Sequence, residues 1–428
     1  RECGMSFSSV LRFVRGHALL PAALAAGGLA WEQAQHTSVS DPQADAAVWP
    51  FQAQTPGRAT LATDGTTGGA TGGTSASFTQ SAAGHIPMPA NTPAAHASTL
   101  VAMPEGAAAG MLAFWFAGQK ESAPDVQIAF SWFDRSTQAW QPARFVLSKE
   151  AAGAALGFGV RRLGNPVAWL DAQRRVHLFV VATGLGGWAA GRVLHLVQKQ
   201  PFRQNAEAFD AIEFEAIGVL PLSWLWNTSY LVRSAPLPMH DGGMLLPLYF
   251  ELGIKYPTAA RFDAAGQFMG TQRISAKSGL LQPSLVMLDE RRWLALMRDH
   301  SPARKVAVAR TDDAGVHWQD LPTLSLDNPD ASVVGLGLQP GLMVLAHNPS
   351  TTGREKLALS ASIDGQSWRS VAMLAEGTVG SEYSYPAMAW GDGSLWISYT
   401  DQRQRIAWQR WRLNRVADAS AASAGRKP

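Results

Sequence analysis

Between about residues 93 and 415 the chain alternates short apolar runs with clusters of turn residues. The runs Met111–Ala117, Val176–Ala182, Met244–Tyr249, Trp293–Arg298, Leu342–His347 and Leu395–Thr400 are rich in Val, Leu, Phe and Trp. Turn clusters precede them at Pro104–Gly106, Asp171–Arg174, His240–Gly243, Asp289–Arg291, Gln339–Gly341 and Asp392–Gly393. Apolar runs of this length bounded by turn residues read as strands. No segment of a dozen residues carries a helical stripe. The six turn-then-strand units recur about 45 to 70 residues apart, a period that indicates radial repetition. The expected architecture is all-β, a six-bladed β-propeller. A pair of two-sheet sandwiches is the competing arrangement.

A second repeat points the same way. Thr311-Asp312-Asp313-Ala314-Gly315-Val316-His317-Trp318 follows the pattern S/T-x-D-x-G-x-x-W, and Ser362 to Trp368 is the same motif one residue shorter. Ser131-Trp132-Phe133-Asp134, leading to Trp140, is a degraded copy. The physics is that of a hairpin turn: Asp accepts backbone N–H bonds, Gly takes a positive φ, and Trp packs the turn onto its sheet. This Asp-box has a structural role.

The flanks differ in character. Residues 1–45 read as an export signal or N-terminal membrane anchor, with Arg12 and Arg15 before a 13-residue apolar stretch, Ala18 to Ala30. That stretch is short for a membrane span. The expected setting is a bacterial periplasm or inner-membrane surface. Residues 46–92 are dominated by Gly, Thr, Ala and Ser and read as a linker or irregular lead-in strand. Residues 416–428 read as a disordered tail.

Composition narrows the function. Lys and Arg number 36 against 33 Asp and Glu, with no basic run to track a phosphate backbone, so nucleic acid is a poor partner. The single cysteine, Cys3, excludes an internal disulfide and a cysteine metal cage. The ten histidines do not cluster, and no metal site or cofactor is expected. Glycine-rich phosphate loops, H-E-x-x-H and G-x-S-x-G are all missing. Sixteen Trp against six Tyr suits an all-β fold or a carbohydrate site.

The region from about 93 to 413 resembles the BNR/Asp-box sialidase-like proteins, the neuraminidase-type propellers. The resemblance is carried by HASTLVAMPEG, WFAGQKESAPDVQI, LGNPVAWLD, GGWAAG, NTSYLVRSAP, LLPLYFELGIKYP, LLQPSLVMLDERRWLALMRD, LDNPDASVVG, REKLALSASIDGQSW and SYPAMAWGDGSLWISYT, in that order. It implies six four-stranded blades around a funnel with a site at one end. In that family three arginines from different blades bind the sugar carboxylate, whose shape a guanidinium fork matches. A tyrosine activated by a glutamate attacks the anomeric carbon, and an aspartate is acid/base.

Carried over, the resemblance puts Arg298 at the second arginine, Arg354 at the third and Tyr385, in SYPAM, at the nucleophile, with Tyr383 as a rival. The first arginine has no counterpart, and His96 occupies its stretch. The activating glutamate falls near Gln282, which cannot act as a base. The acid/base aspartate falls near Lys120, Glu121 or Asp125. Further candidates are Glu251 at the end of an apolar strand, Arg233 as a replacement arginine, and His96 as an acid/base near neutral pH. Asn165 and Trp188 are candidates for shaping the funnel. The formal sequon at Asn227 reads as chance.

The reading is an exported, sialidase-like glycoside hydrolase acting exo on an acidic sugar, sialic acid or a related keto-sugar acid, without a cofactor. A uronic-acid polysaccharide lyase, with His96 and a tyrosine as base and acid, is one alternative. A non-catalytic carbohydrate-binding propeller is the other.

Overall fold

The computed structural model describes residues 46–49, 59–61, 74–203 and 205–416. The expected export segment 1–45 and residues 417–428 of the expected tail lie outside them, as does Cys3. Among the described residues no helix is long and apolar enough to cross a membrane.

The chain folds into six sheets arranged as propeller blades, antiparallel except where Ala59–Leu61 pairs parallel with Thr74–Ala76 at the edge of one. Their inner strands are Ala94–Ala102, Arg162–Leu170, the pair Tyr230–Val232 and Leu237–Pro238, Leu280–Met287, Val334–Gln339 and Tyr383–Gly391, here numbered blades 1 to 6. The six apolar runs of the sequence pattern are the second strands of the six blades, from Ala109–Gly118 through Ser394–Asp401. Each is buried on both faces because blades pack against blades on either side.

Blade 6 is closed by a strand that precedes blade 1 in the sequence. Thr74–His85 pairs antiparallel with Arg405–Val416, so the sheet system reaches N-terminally of residue 93, into the Gly/Thr/Ala-rich stretch. Ala95 N–H donates to the Arg403 carbonyl at 3.0 Å and ties blade 6 to blade 1. The seam between these two blades is aromatic: Phe133, Trp140, Trp396 and Trp408 pack with ring centroids 4.8 to 6.3 Å apart. Much of the tryptophan richness therefore serves inter-blade packing, which such rings stabilise by area and by edge-to-face geometry.

The Asp-boxes are the turns between third and fourth strands. Asp364 accepts from the backbone N–H of Gln366 and Ser367 at 2.8 and 2.7 Å, and Trp368 Nε1 donates to the Gly365 carbonyl at 3.2 Å. Asp313 and Trp318 repeat this arrangement in blade 4. Asp134 caps the corresponding turn of blade 1. Blade 3 carries a further copy that departs from the S/T-x-D-x-G-x-x-W pattern: Asp263 accepts from Ala265 and Gln267 N–H, and Phe268 stands where Trp would. Gly365 has φ of 76°, and a Cβ there would collide with Leu294 of the neighbouring blade. Gly365→Ala is expected to destabilise the protein by about 2 kcal/mol, through both left-handed strain and overpacking. Urea unfolding would measure it; a change under about 0.5 kcal/mol would contradict the account.

Two short helices, Lys149–Leu156 and Glu207–Asp210, decorate blades 1 and 2. The first is capped by Ser148, whose Oγ accepts from Ala151 N–H, and ends on Gly157 at φ 69°. Inside the ring, a cavity of about 300 Å³ is walled by apolar residues of all six inner strands, among them Leu100, Trp169, Leu237, Leu285, Leu336 and Trp390. These lie toward the C-terminal ends of the inner strands. The polar residues gather at the other end.

Candidate active site

Four inner strands are broken near their start by a two-residue bulge. The ladder skips Ala97-Ser98 in blade 1, Asn165-Pro166 in blade 2, Gln282-Pro283 in blade 4 and Tyr385-Pro386 in blade 6. Ala97, Asn165, Gln282 and Tyr385 have φ of 54, 39, 51 and 52°. Proline has no N–H to give a ladder, so it marks bulges rather than central strand positions. A bulge re-aims the side chain that it carries. In blade 3 the inner strand is interrupted at Arg233, and in blade 5 Asp330, at φ 59°, precedes the strand. Strained non-glycine backbone of this kind concentrates at functional sites. The x-Pro pairs inside apolar runs were a sequence signal for these positions; the pairs Ala-Ser, Arg-Ser and Asp-Ala in the other blades were not.

The residues so placed converge on Tyr385. The Arg233 guanidinium lies 5.1 Å and that of Arg354 5.8 Å from the centre of its ring. The His96 ring packs against it at 4.2 Å between centroids. Gln282 Nε2 lies 3.4 Å from Tyr385 Oη and 3.5 Å from Tyr249 Oη. The amide points a donor at the phenol and cannot take its proton. Sequence reasoning did not single out Tyr249. Burial, with the charge of Glu251 beside it, holds the Tyr249 phenol well above its ordinary pKa. Glu251 thus stands by the site, next to Tyr249.

The arginines are held by carboxylates. Arg298 Nε donates to Asp330 Oδ1 at 2.5 Å, and His300 Nδ1 sits 2.8 Å from the other carboxylate oxygen. Burial works against the charge on Arg298, but the Asp330 pair outweighs it and holds the guanidinium above its ordinary pKa. Arg233 is fully enclosed; burial lowers its pKa to about 10. Its Nη atoms donate to the carbonyls of Ser98 and Pro386 at 3.3 and 2.7 Å, while Nε has no partner. Arg354 Nη1 donates to Glu382 Oε1 at 3.0 Å and Nη2 to the Asp330 carbonyl at 3.2 Å. Arg403, in the turn between the second and third strands of blade 6, donates to Glu382 through Nε at 2.6 Å and Nη2 at 3.1 Å, and pairs with Glu121. Asp330 and Glu382 thus do most of the charge compensation, with Glu121 adding to it through Arg403.

The remaining candidates lie nearby or on the rim. Asp125 is exposed and accepts the Gln119 N–H at 2.9 Å, closing its own turn. The Trp188 ring turns its edge to Gly164, next to Asn165, where an added Cβ would collide with it. The loop entering blade 3 exposes Trp224 and Trp226 by 62% and 51%; it is pinned by Asn227, whose side chain bonds Leu222 N–H and the Leu220 carbonyl. Tyr383 packs against Tyr399 in the blade core, with ring centroids 6.3 Å apart. Among the described residues no group of His, Cys, Asp or Glu could hold a metal ion.

Residues 110–397 match the BNR repeat-like domain. The chain belongs to this family. No functionally curated protein matches it in sequence. Among solved structures it is similar to a Hadza microbial sialidase, at 16% identity and TM-score 0.59 over 74% of this chain and 65% of that one. The Trypanosoma rangeli sialidase in complex with sialic acid matches at 13% identity and TM-score 0.58, over 79% and 58%. A protein of unknown function from Dyadobacter fermentans matches at 11% and 0.58, over 79% and 99%. The chain thus spans less than two thirds of either sialidase. At these identities the likeness establishes the sialidase-like six-bladed fold.

His96 has its own consequence for the family site. Burial holds its pKa well below 6.5, and Arg403, Arg233 and Arg354 add to this, in that order. Both ring nitrogens are buried without a partner. The folded protein keeps the ring neutral where the unfolded chain would protonate it. The stability this ring contributes is therefore complete above about pH 6.5 and is lost as pH falls below that value. His195 and His347, lowered by burial to about 3 and about 4, act in the same direction. The expected result is a difference: from pH 6.5 to 5, His96→Gln stability should vary less steeply than wild type, by up to about 1.4 kcal/mol per pH unit. Equal slopes in urea titrations would show that His96 does not titrate with folding.

Proposed function

We propose that the funnel binds an acidic sugar by its carboxylate and that the protein is an exo-acting glycoside hydrolase with Tyr385 as nucleophile. The observation that supports this most is the convergence on Tyr385 of Arg233 and Arg354 from two other blades, with Arg298 of a third joined to the same cluster through Asp330. A carboxylate bound there holds the anomeric carbon over the phenol oxygen, which turns a bimolecular attack into a positioned one. Tyr385 Oη forms a bond to that carbon as the glycosidic C–O bond breaks, and the leaving oxygen takes a proton. Glu121, once a ligand releases it from Arg403 and it is protonated, is the candidate donor, and His96, whose ring packs on Tyr385, is the candidate acceptor of the phenol proton in place of a carboxylate at Gln282. Water then releases the sugar. The positive charge of an oxocarbenium-like state is offset by the sugar's own carboxylate, which the arginines hold in place, and by the incoming phenol oxygen.

Gln282 favours a second reading, a non-catalytic glycan-binding propeller, because its amide takes no proton. The exposed Trp224 and Trp226 suit stacking on neutral sugar faces in either case. The deciding experiment is release of the phenol from aryl sialosides and aryl glycosides of other acidic sugars, against a Tyr385→Phe control. Turnover supports the hydrolase; binding of the free acids without turnover supports the binding module. Ultraviolet absorbance of an unsaturated product from uronic-acid glycans would instead indicate a lyase. The proposed setting is the bacterial periplasm or inner-membrane surface, and it rests on residues 1–45 alone.

A further inference from the structure

The inner strand of blade 1 offers His96 and Ala97 where a carboxylate-binding arginine would complete the ring, yet a guanidinium is present on that side. It belongs to Arg403, from the turn that joins the second and third strands of blade 6. Gln402 and Arg403 both have φ of 55°, as a tight hairpin requires. The Arg403 carbonyl is bonded to Ala95 N–H, one residue before His96. Backbone geometry therefore fixes the base of this side chain against blade 1. Its head is fixed too, because Glu382 grips Nε and Nη2 as a fork. Glu382 also holds Arg354 and accepts from Ser384 Oγ at 2.7 Å. One carboxylate thus orients two guanidinium groups from different blades.

The third Arg403 nitrogen is differently employed. Nη1 pairs with Glu121, which comes from a loop of blade 1 and retains 30% of its side-chain exposure. His96, Phe116, Lys120, Glu121 and Arg403 line one slot. Behind it, both His96 nitrogens and Gln282 Oε1 are buried without partners. We propose that Arg403 is a further carboxylate-binding residue of the funnel, standing on the blade 1 side where the inner strand offers none, that Glu382 positions it together with Arg354, and that Glu121 occupies its free nitrogen until a ligand carboxylate displaces it. This rests on the acidic-sugar reading above. A guanidinium supplied from the turn of blade 6 then takes the place of one supplied from the inner strand of blade 1, its fork spent on Glu382 and its remaining nitrogen turned to the ligand.

The test is a binding titration of the full chain by ligand-observed NMR, with N-acetylneuraminate, 3-deoxy-manno-octulosonate and galacturonate, and neutral N-acetylmannosamine as control. Arg403→Gln should weaken binding of the preferred acid about tenfold or more, with the neutral sugar unaffected. Arg403→Lys should restore only part of the loss, since it keeps the charge and loses the fork. Glu121→Gln should tighten acid binding two- to fivefold by removing the competing carboxylate; if Arg403 and Glu121 merely tie two blades together, it should not. Melting curves on each variant separate misfolding from lost binding, and Glu121→Gln keeps the proposal testable if Arg403 variants do not fold. Arg298→Ala is the reference. Loss of acid binding there but not in Arg403→Gln, or no tightening in Glu121→Gln, would overturn the role of Arg403 and leave the acidic-sugar reading standing. Absence of binding to every acid by the wild-type chain would overturn both.

Discussion

Tyr385→Phe is expected to lower turnover of an acidic aryl glycoside by about a thousandfold or more, the scale seen when a covalent nucleophile is removed. Binding of the free sugar acid should change little. The phenylalanine keeps the ring that His96 packs against and that Arg233 and Arg354 overlie. Only Oη is lost, and it meets Gln282 through a long contact. Steady-state kinetics with a parallel binding titration make the separation: kcat falls and the dissociation constant holds. Undiminished turnover would remove Tyr385 as nucleophile. Lost binding with a lower melting temperature would make the hydroxyl a structural group.

Arg298→Ala is expected to weaken acid binding about ten- to a hundredfold, as loss of one partly desolvated guanidinium–carboxylate contact implies. It also carries a stability cost that a purely ligand-facing arginine would not. Arg298 is the main partner of Asp330, which burial would otherwise push up; the Arg298 bond, then His300, hold it below its ordinary carboxylate pKa. A carboxyl depressed in the folded state stabilises above its unfolded pKa near 3.8, and that contribution is lost as pH falls through the lower, folded value. The variant should therefore melt below wild type at pH 7, and the gap should narrow by pH 3. Calorimetry at the two values reads it. A large stability loss with unchanged binding would make Arg298 an inter-blade tie between blades 4 and 5.

The six second strands were legible because each is a continuous apolar run between turn residues, and Asp-boxes at Thr311 and Ser362 announced two blade turns. The turn at Asp263 escaped because Phe268 replaces Trp and its glycine is displaced. The closing strand Thr74–His85, TSASFTQSAAGH, escaped because its small and polar residues show no alternation, being an outer strand with little to bury. At the site, Tyr385, Arg298 and Arg354 were reached through the resemblance. Arg403, Glu382, Asp330 and Tyr249 were not. Arg403 sits in an ordinary polar turn, and Glu382 becomes informative only when two arginines are seen on it.

The sequence by itself determined the all-β class, the six-fold repetition and the blade turns. These follow from local rules: the period-two and turn chemistry of strands act over a few residues and leave their imprint in order along the chain. Only the tertiary structure decided which polar residues share the funnel. Tyr385 meets His96, Arg233, Gln282 and Arg354 across up to 289 positions (385 − 96), because ring closure brings the bulged starts of the inner strands to one axis. It also decided that guanidinium groups so close together are tolerated, since Asp330 and Glu382 compensate them across blades, a pairing that depends on through-space distance and burial rather than on any spacing in the chain.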